Sequence, residues 1–501
     1  DHNGKATVDE ALRARSSAGF FARINYDYQG KYLLELNGRY DGSSLFKKGD
    51  KWAFFPSMSV GYRISEEKFW APIKKYVSNL KLRASYGSIG NQNIASSTNF
   101  YPFMSLIDTY TNSNWVLTDG NFPTASTMPT IIGKSMTWEK IRTLDIGFDA
   151  GFLNNELTLA FDWYQRKNIG MLVDRNAVVD YGGFPNLPQE NSGDLKTTGW
   201  EMQIDYNHAF NNNFSVYATF TLADATSKIS KWNTSVGRLT DYYEGKKLGE
   251  IWGFETDRYW TSADDAATIK AWQGNLQKGG FVYSAGDIKY KDLDGDKNIN
   301  TGDGTISKHG DLKRIGNTTP RFEYSLRMGA SWKGIDAEIL FQGVGKRDMY
   351  SYSSLFLPTA EGSQMNIFRN ELDYWTEDNQ NAKFPRPYFG NGVGSTLNGL
   401  PYGGRNNYYP QTKFLQNLAY LRLKNVTVGY TLPAKISQKA FIQKVRVYCS
   451  IENAITWDHI HGVMDPELTG GWNTASGIDS HYAGRAMPFN RQWSFGVQVT
   501  F

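Results

Sequence analysis

Cysteine is almost missing from this chain: Cys449 is the only one in 501 residues. That excludes an intrachain disulfide and any multi-cysteine metal cluster, and Cys449 itself reads as an apolar strand residue. No apolar run approaches the roughly 18 residues that a transmembrane helix requires, and the mean hydropathy is −0.51, so a helical membrane protein is excluded. A β-barrel is not, because its strands alternate and their signal averages away. Charge of one sign is lacking too, since 54 basic and 50 acidic residues leave a formal +4. The cations are scattered among acids rather than gathered into the stripe that nucleic acid needs, and nucleic acid is dropped as a partner. H-E-x-x-H, G-x-S-x-G and phosphate-loop motifs are likewise absent, so no nucleophile or hydrolytic metal can be nominated and the chain does not read as an enzyme.

What is abundant is aromatic residues, 15% of the chain, and glycine, 49 residues. That mixture suits exposed β-structure. The C-terminus shows the pattern most clearly: Trp493, Phe495, Val497, Val499 and Phe501 fall on one face, and Ser494, Gly496, Gln498 and Thr500 on the other. A period of two over long runs predicts strands with an apolar row facing lipid and a polar row facing a lumen. The period recurs in Leu157, Leu159, Phe161 and Trp163 against Thr158, Asp162 and Tyr164. It recurs again in Phe322, Tyr324, Leu326, Met328 and Trp332, and in Tyr32, Leu34, Leu36 and Tyr40. A soluble sandwich also alternates, but with shorter strands.

Thirteen such runs are predicted, near 15–27, 31–41, 52–65, 79–88, 137–153, 156–172, 197–210, 214–227, 320–333, 335–346, 419–433, 444–457 and 492–501. Short connections (Gln29-Gly30, Asn154-Asn155, Asn211-Asn212-Asn213, Gly334) alternate with long ones, the short-periplasmic, long-extracellular asymmetry of outer-membrane barrels. Two near-side connections, 66–78 and 434–443, are longer and are expected to hold short helices. Val426, Val428 and Tyr430 share a face while Leu421 and Leu423 fall on the other, which predicts a bulge near Lys424 and Asn425. Single-chain bacterial barrels have even strand numbers, so further strands, and whatever fills the lumen, are expected to precede Asp1 in a longer polypeptide. No signal peptide is present; the leader is expected to have been cleaved or to lie upstream.

The segments RINYDYQGKYLLELNGRYDGSS, FFPSMSVGYRISEEKFW, LKLRASYGSIGNQ, TWEKIRTLDIGFDAGFLNNELTLAFDWYQRK, GDIKYKDLDGDKNIN, YLRLKNVTVGYTLP and FGVQVTF resemble, in order and across essentially the whole chain, the SusC/RagA-like family of TonB-dependent transporters from Bacteroidota. The resemblance implies an all-β fold, a transmembrane antiparallel β-barrel of about 22 strands. Residues 1–501 would supply the last thirteen of these, with the plug, a small N-terminal domain and the TonB-contacting segment outside this chain. It further implies outer-membrane import of a bulky nutrient, mostly an oligosaccharide and in some members a peptide. Energy would come through TonB, and a SusD-like surface lipoprotein would close over the barrel as a lid. The alternative is a non-transporting scaffold barrel that organises surface lipoproteins; a plug and a TonB box upstream of Asp1 would separate the two.

Two groups of residues are candidate sites. In the run from Asp292 to Asp303, the side-chain oxygens of Asp292, Asp294, Asp296, Asn298, Asn300 and Asp303 take positions 1, 3, 5, 7, 9 and 12 of a twelve-residue calcium loop. Lys297 stands where that loop has glycine, and Asp303 is shorter than the usual Glu. One reading is Ca2+ or Mg2+ on Asp292, Asp294, Asp296 and Asp303 with the backbone carbonyl of Asn298. The other is a solvated acidic turn. The second group is the loop aromatics, Trp252, Trp260, Tyr350, Tyr374, Trp375, Tyr388 and Trp472, which can stack on sugar rings and reach hydroxyls but equally pack loops together. His459 and His461, beside Asp458 and Asp465, read more readily as a polar loop than as a metal site. Glu35, Arg39, Asp145, Asp149, Asp162, Glu201, Asp205, Glu323, Arg327, Asp336, Glu338 and Arg446 are predicted to line the lumen with water and salt bridges. The connections 231–319 and 349–418 hold roughly 160 residues, more than strand connection requires. Their aromatic composition predicts packing on a second surface, the lid.

Overall fold

The computed structural model describes residues 14–92, 103–105, 107, 109–111, 120, 122–127, 129, 136–174, 189–232, 236–277, 281–353, 355–358, 368–388, 404–460, 463–468 and 486–501. Thirteen strands form one sheet in which each pairs antiparallel with the next in sequence. They are β1 (Ser17–Tyr28), β2 (Tyr32–Ser43), β3 (Trp52–Arg63), β4 (Val77–Asn91), β5 (Glu139–Phe152), β6 (Leu157–Asp174) and β7 (Gln189–Asn211), followed by β8 (Phe214–Lys231), β9 (Arg321–Trp332), β10 (Ile335–Lys346), β11 (Tyr420–Thr431), β12 (Lys444–Asp458) and β13 (Gln492–Thr500). All thirteen expected strands are present. The largest boundary error is at the extracellular end of the sheet's middle, where β7 starts earlier than the apolar pattern does. At about 3.3 Å per residue its 23 residues reach about 75 Å, far beyond an apolar band about 25 Å tall, so this part of the wall stands clear of the membrane. β1 and β13 do not pair with each other, and the sheet is an open wall.

The register places like residues opposite one another. On the lipid side of β2 and β3, Tyr32 pairs with Tyr62, Leu34 with Val60, Leu36 with Met58 and Tyr40 with Phe54; further along, Phe161 stands beside Phe148 at 5.8 Å and Trp200 at 6.3 Å. The opposite face carries charge: Arg83 bridges Asp149 and Asp162 at 2.9 Å each, Arg327 meets Glu338 at 2.7 Å, and Arg446 Nε meets Asp336 at 2.9 Å. On this lumen face three tyrosines lie flat over glycines of the next strand. A Cβ on Gly199, Gly329 or Gly496 would come within 2.6, 2.4 or 2.3 Å of the ring of Tyr164, Tyr217 or Tyr448, so those positions exclude any side chain.

The near-side turns follow from local chemistry. Gln29 and Gly30 both have positive φ, 58° and 64°, the type I′ geometry that matches strand twist, and Asp27 accepts from the Gly30 amide at 2.6 Å. The two longer near-side connections hold short helical turns as expected, at Ile64–Glu66, Lys68–Trp70, Ala434–Ser437 and Gln438–Ala440. The bulge is also where the alternation placed it. Leu423 pairs with Phe341 and Asn425 with Leu340, leaving Lys424 as the extra residue of β11.

Candidate functional site: the loop assembly at the extracellular rim

The connections after β8, β10 and β12 fold into one unit with its own core. Phe254, Trp260, Ile288, Tyr290 and Ile299 come from the first, Met349, Leu357, Trp375, Phe384 and Phe414 from the second, and Ile460 and Met464 from the third. Short ladders frame it, Glu250–Gly253 with Lys313–Asn317, Thr256–Tyr259 with Ile288–Tyr290, and Asp348–Tyr350 with Leu415–Asn417. Backbone bonds cross between connections: Phe254 N to Pro410 O at 2.8 Å, Thr412 N to Phe254 O at 3.1 Å, and Arg386 N to Gly286 O at 2.9 Å. Gly286 has φ +88°, and a Cβ there would lie 2.5 Å from the Trp375 ring. Of the two roles the sequence leaves open for these aromatics, much of the apolar area serves to pack the loops on each other.

A polar hub sits inside this core. Asp287, fully buried, accepts from Tyr388 Oη at 2.9 and 2.8 Å, from Asn407 Nδ2 at 2.7 Å and from the Ser284 amide at 2.8 Å. Burial pushes its carboxyl above the usual range, while these donors and Arg386 work against that shift. Near the surface, the Arg258 guanidinium holds Asp264 well below the usual carboxylate range, aided by the Thr261 amide and hydroxyl.

The candidate ligand aromatics separate by position. Trp260 and Trp375 are 1% and 4% exposed and Tyr350 is 6% exposed, so their rings are covered by the protein itself. Tyr350 Oη donates to the carbonyls of Tyr408 and Tyr409, and Lys289 lies over the Trp260 ring at 5.1 Å. Tyr388 is half-buried on the Asp287 hub. Tyr374 is exposed, and Trp252 is half-exposed, its indole donating to Glu250 at 2.8 Å with Arg314 5.5 Å over its ring. Trp472 and His461 lie outside the described residues.

Of the proposed cation ligands, the structure brings together Asp292, Asp294 and Asp296, whose carboxylate oxygens lie within 4.8 Å of one another. Asp292 accepts from the amides of Gly295 and Lys297 at 2.6 and 2.8 Å. Lys297 takes φ +61°, the conformation for which a calcium loop uses glycine. Asp303 is not in this group; it accepts from Thr305 Oγ1 at 2.6 Å, and the carbonyl of Asn298 is taken by Asn300 Nδ2 at 2.6 Å. The acid that closes the loop is instead Asp311, fully buried, bonded to the amides of Leu293 and Asn300 at 2.7 and 2.8 Å. It lies outside the twelve-residue window, so spacing alone did not reveal it.

Arg422 was missed for a different reason. Counting by alternation from Val426, Val428 and Tyr430 places it in the lipid row, but the extra residue Lys424 reverses the side, and Arg422 pairs opposite Gln342 on the lumen face. There it is fully buried, bidentate to Asp465 at 2.7 Å and 3.2 Å from Glu467. Asp465 thus fastens the last loop to the wall.

An antiparallel meander with a lipid-facing row, a charge-paired inner face and folded loops above one rim is the wall of an outer-membrane β-barrel. The family model for "TonB dependent receptor-like, beta-barrel" matches residues 7–296, and the chain belongs to that family. It is similar to the TonB-dependent receptor P26 of Formosa agariphila, 27% identical over 97% of this chain and 46% of that protein. It is also similar to the TonB-dependent receptor SusC of Bacteroides thetaiotaomicron, 26% identical over 97% of this chain and 44% of that protein. Among solved structures, a RagAB peptide transporter chain superposes with a TM-score of 0.71 at 22% identity, covering 100% of this chain and 50% of that one. The chain spans about half the length of the relatives it matches.

Proposed function

We propose that this chain is the barrel wall of a SusC-like active importer that carries a bulky nutrient, an oligosaccharide or a peptide, across the outer membrane. In this reading TonB supplies the energy and a SusD-like lipoprotein acts as the lid. The observation that carries the reading is the inner face. Arg83 with Asp149 and Asp162, Arg327 with Glu338, and Arg446 with Asp336 give it a wetted, charge-balanced lining suited to a channel around a polar filling. Exposed Tyr374 and half-exposed Trp252 are the aromatics assigned to ligand contact; Trp260, Tyr350, Trp375 and Tyr388 brace the loops that present them. Similarity to SusC supports the oligosaccharide reading, and the fold shared with RagAB supports keeping the peptide.

The test is deletion of the gene in its host, followed by uptake of labelled oligosaccharides and peptides with and without a proton uncoupler, and gentle purification from native membrane. Uncoupler-sensitive uptake that the deletion abolishes, with a co-purifying lipoprotein, is expected. A lipoprotein that co-purifies while uptake is untouched would instead establish the scaffold. A divalent cation, Ca2+ or Mg2+, is assigned to Asp292, Asp294 and Asp296, where it would brace the turn they form. Calorimetry on the purified protein should show binding that Asp294→Asn removes and Asp303→Asn spares.

A further inference from the structure

We propose that the connection between β3 and β4, residues 64–76, is an interfacial anchor that grips phospholipid headgroups of the periplasmic leaflet. Its position is fixed by Glu67, which accepts from Tyr32 Oη at 2.8 Å, Tyr62 Oη at 3.4 Å and Lys31 Nζ at 3.2 Å. Tyr32 and Tyr62, stacked 5.0 Å apart, end the lipid-facing row that runs through Leu34, Val60, Leu36 and Met58. Glu67 therefore hangs the middle of the segment from the lipid side of the rim. It is held there firmly, with Trp70 Nε1 donating to Val77 O at 3.0 Å and Ser65 to Asn79 at 3.1 Å.

From this frame it projects apolar surface that nothing among the described residues covers. Phe69 is 64%, Ile73 41% and Tyr76 70% exposed. Interleaved with them are Lys68, Lys74 and Lys75. The two acids of the segment are already engaged, Glu67 as above and Glu66 with Arg63 at 3.3 Å and Lys74 at 3.9 Å. Lys75 rests 5.9 Å over the Tyr76 ring, and among the described residues neither Lys68 nor Lys75 has an acidic partner. Aromatic side chains beside lysines, continuous with a lipid-facing belt, match the chemistry of the bilayer interface: rings enter the acyl boundary and ammonium groups meet phosphates.

The test uses the full-length protein with Cys449 and any cysteine outside residues 1–501 replaced by serine, spin-labelled at Phe69→Cys or Tyr76→Cys and reconstituted in bilayers of phosphatidylethanolamine and phosphatidylglycerol. Lys270→Cys, exposed on the helix Ala266–Gln273 in the connection after β8, is the water control. Labels at 69 and 76 should be reached by oxygen and shielded from a water-soluble nickel chelate several-fold more than the control. Native mass spectrometry of Lys68→Gln/Lys75→Gln should show a several-fold drop in retained phosphatidylglycerol, with heat-modifiable migration confirming an assembled barrel. Nickel accessibility equal to the control at both positions, or lipid retention unchanged by the double substitution, overturns the anchor. Shielding seen only in native membrane and not in pure lipid would assign the surface to a protein partner and overturn it equally.

Discussion

Tyr388 donates its hydroxyl to Asp287 across the two longest loops, 2.9 and 2.8 Å from the two carboxylate oxygens. Asn407 adds a second bond from the same side of the gap at 2.7 Å. Asp287→Ala strands these donors in a dry core, and a loss of about 2 to 4 kcal/mol from the loop assembly is expected. Limited proteolysis within 281–290 and 404–411 should accelerate strongly while the heat-modifiable migration of the wall stays as in the wild type.

Arg422→Leu should detach the last loop. The substitution leaves Asp465 and Glu467 without the guanidinium that balances them, and breaking a buried pair from one side costs about 3 to 5 kcal/mol, less here because Glu467 is partly exposed. Hydrogen exchange at the Glu467 amide, which bonds Asp465 at 3.0 Å, should rise by orders of magnitude. Retained protection would show that the loop is held by something else.

The face assignment is tested by arginine. Phe161, in the lipid row beside Phe148 and Trp200, should lose about 2 to 4 kcal/mol on Phe161→Arg if it lies near the midplane. Thr158→Arg, on the lumen face opposite Asp205, should be nearly neutral. Equal refolding free energies for the two variants would refute the alternation.

Acid should loosen the turn 258–264 before the rest of the loop unit. Asp264 accepts from Arg258 at 2.8 Å through both oxygens and from the Thr261 amide at 2.9 Å, and Arg258 depresses its carboxyl. A depressed folded value means that the stabilisation is complete above the unfolded value, about 4, and is lost as pH falls through the folded one. The Thr261 amide, corrected for intrinsic exchange, should stay protected from neutrality to about pH 5 and lose protection in stronger acid. Asp264→Asn should remove that pH dependence.

The wall was legible because burial in lipid on one side and water on the other writes a period of two into each strand, as in Leu157 to Trp163, and because Gln29-Gly30 and Gly334 mark the turns. Even the bulge at Lys424 showed, as a break in phase. The same break puts Arg422 on the lumen face, but its partner Asp465, 43 residues further on, leaves no local mark. The loop core was less visible. Trp260, Tyr283 and Trp375 follow no period, their neighbours lie more than a hundred residues away in several cases, and aromatics that pack together have the same composition as aromatics that await a ligand. Asp287 and Asp311 were hidden for a similar reason, since nothing local distinguishes an acid that collects distant amides from one that faces water.

The shared core of three successive extracellular connections has a mechanical meaning. Each connection bridges two strands, so a single apolar unit spans the arc of wall from β8 to β13 like a brace bolted across staves. That arc cannot splay or flatten strand by strand without tearing Phe254 from Tyr290, 4.7 Å away, or Asp287 from Asn407. Any change in the curvature of the wall must therefore swing these six strands as one rigid sector, with the give located at its seams.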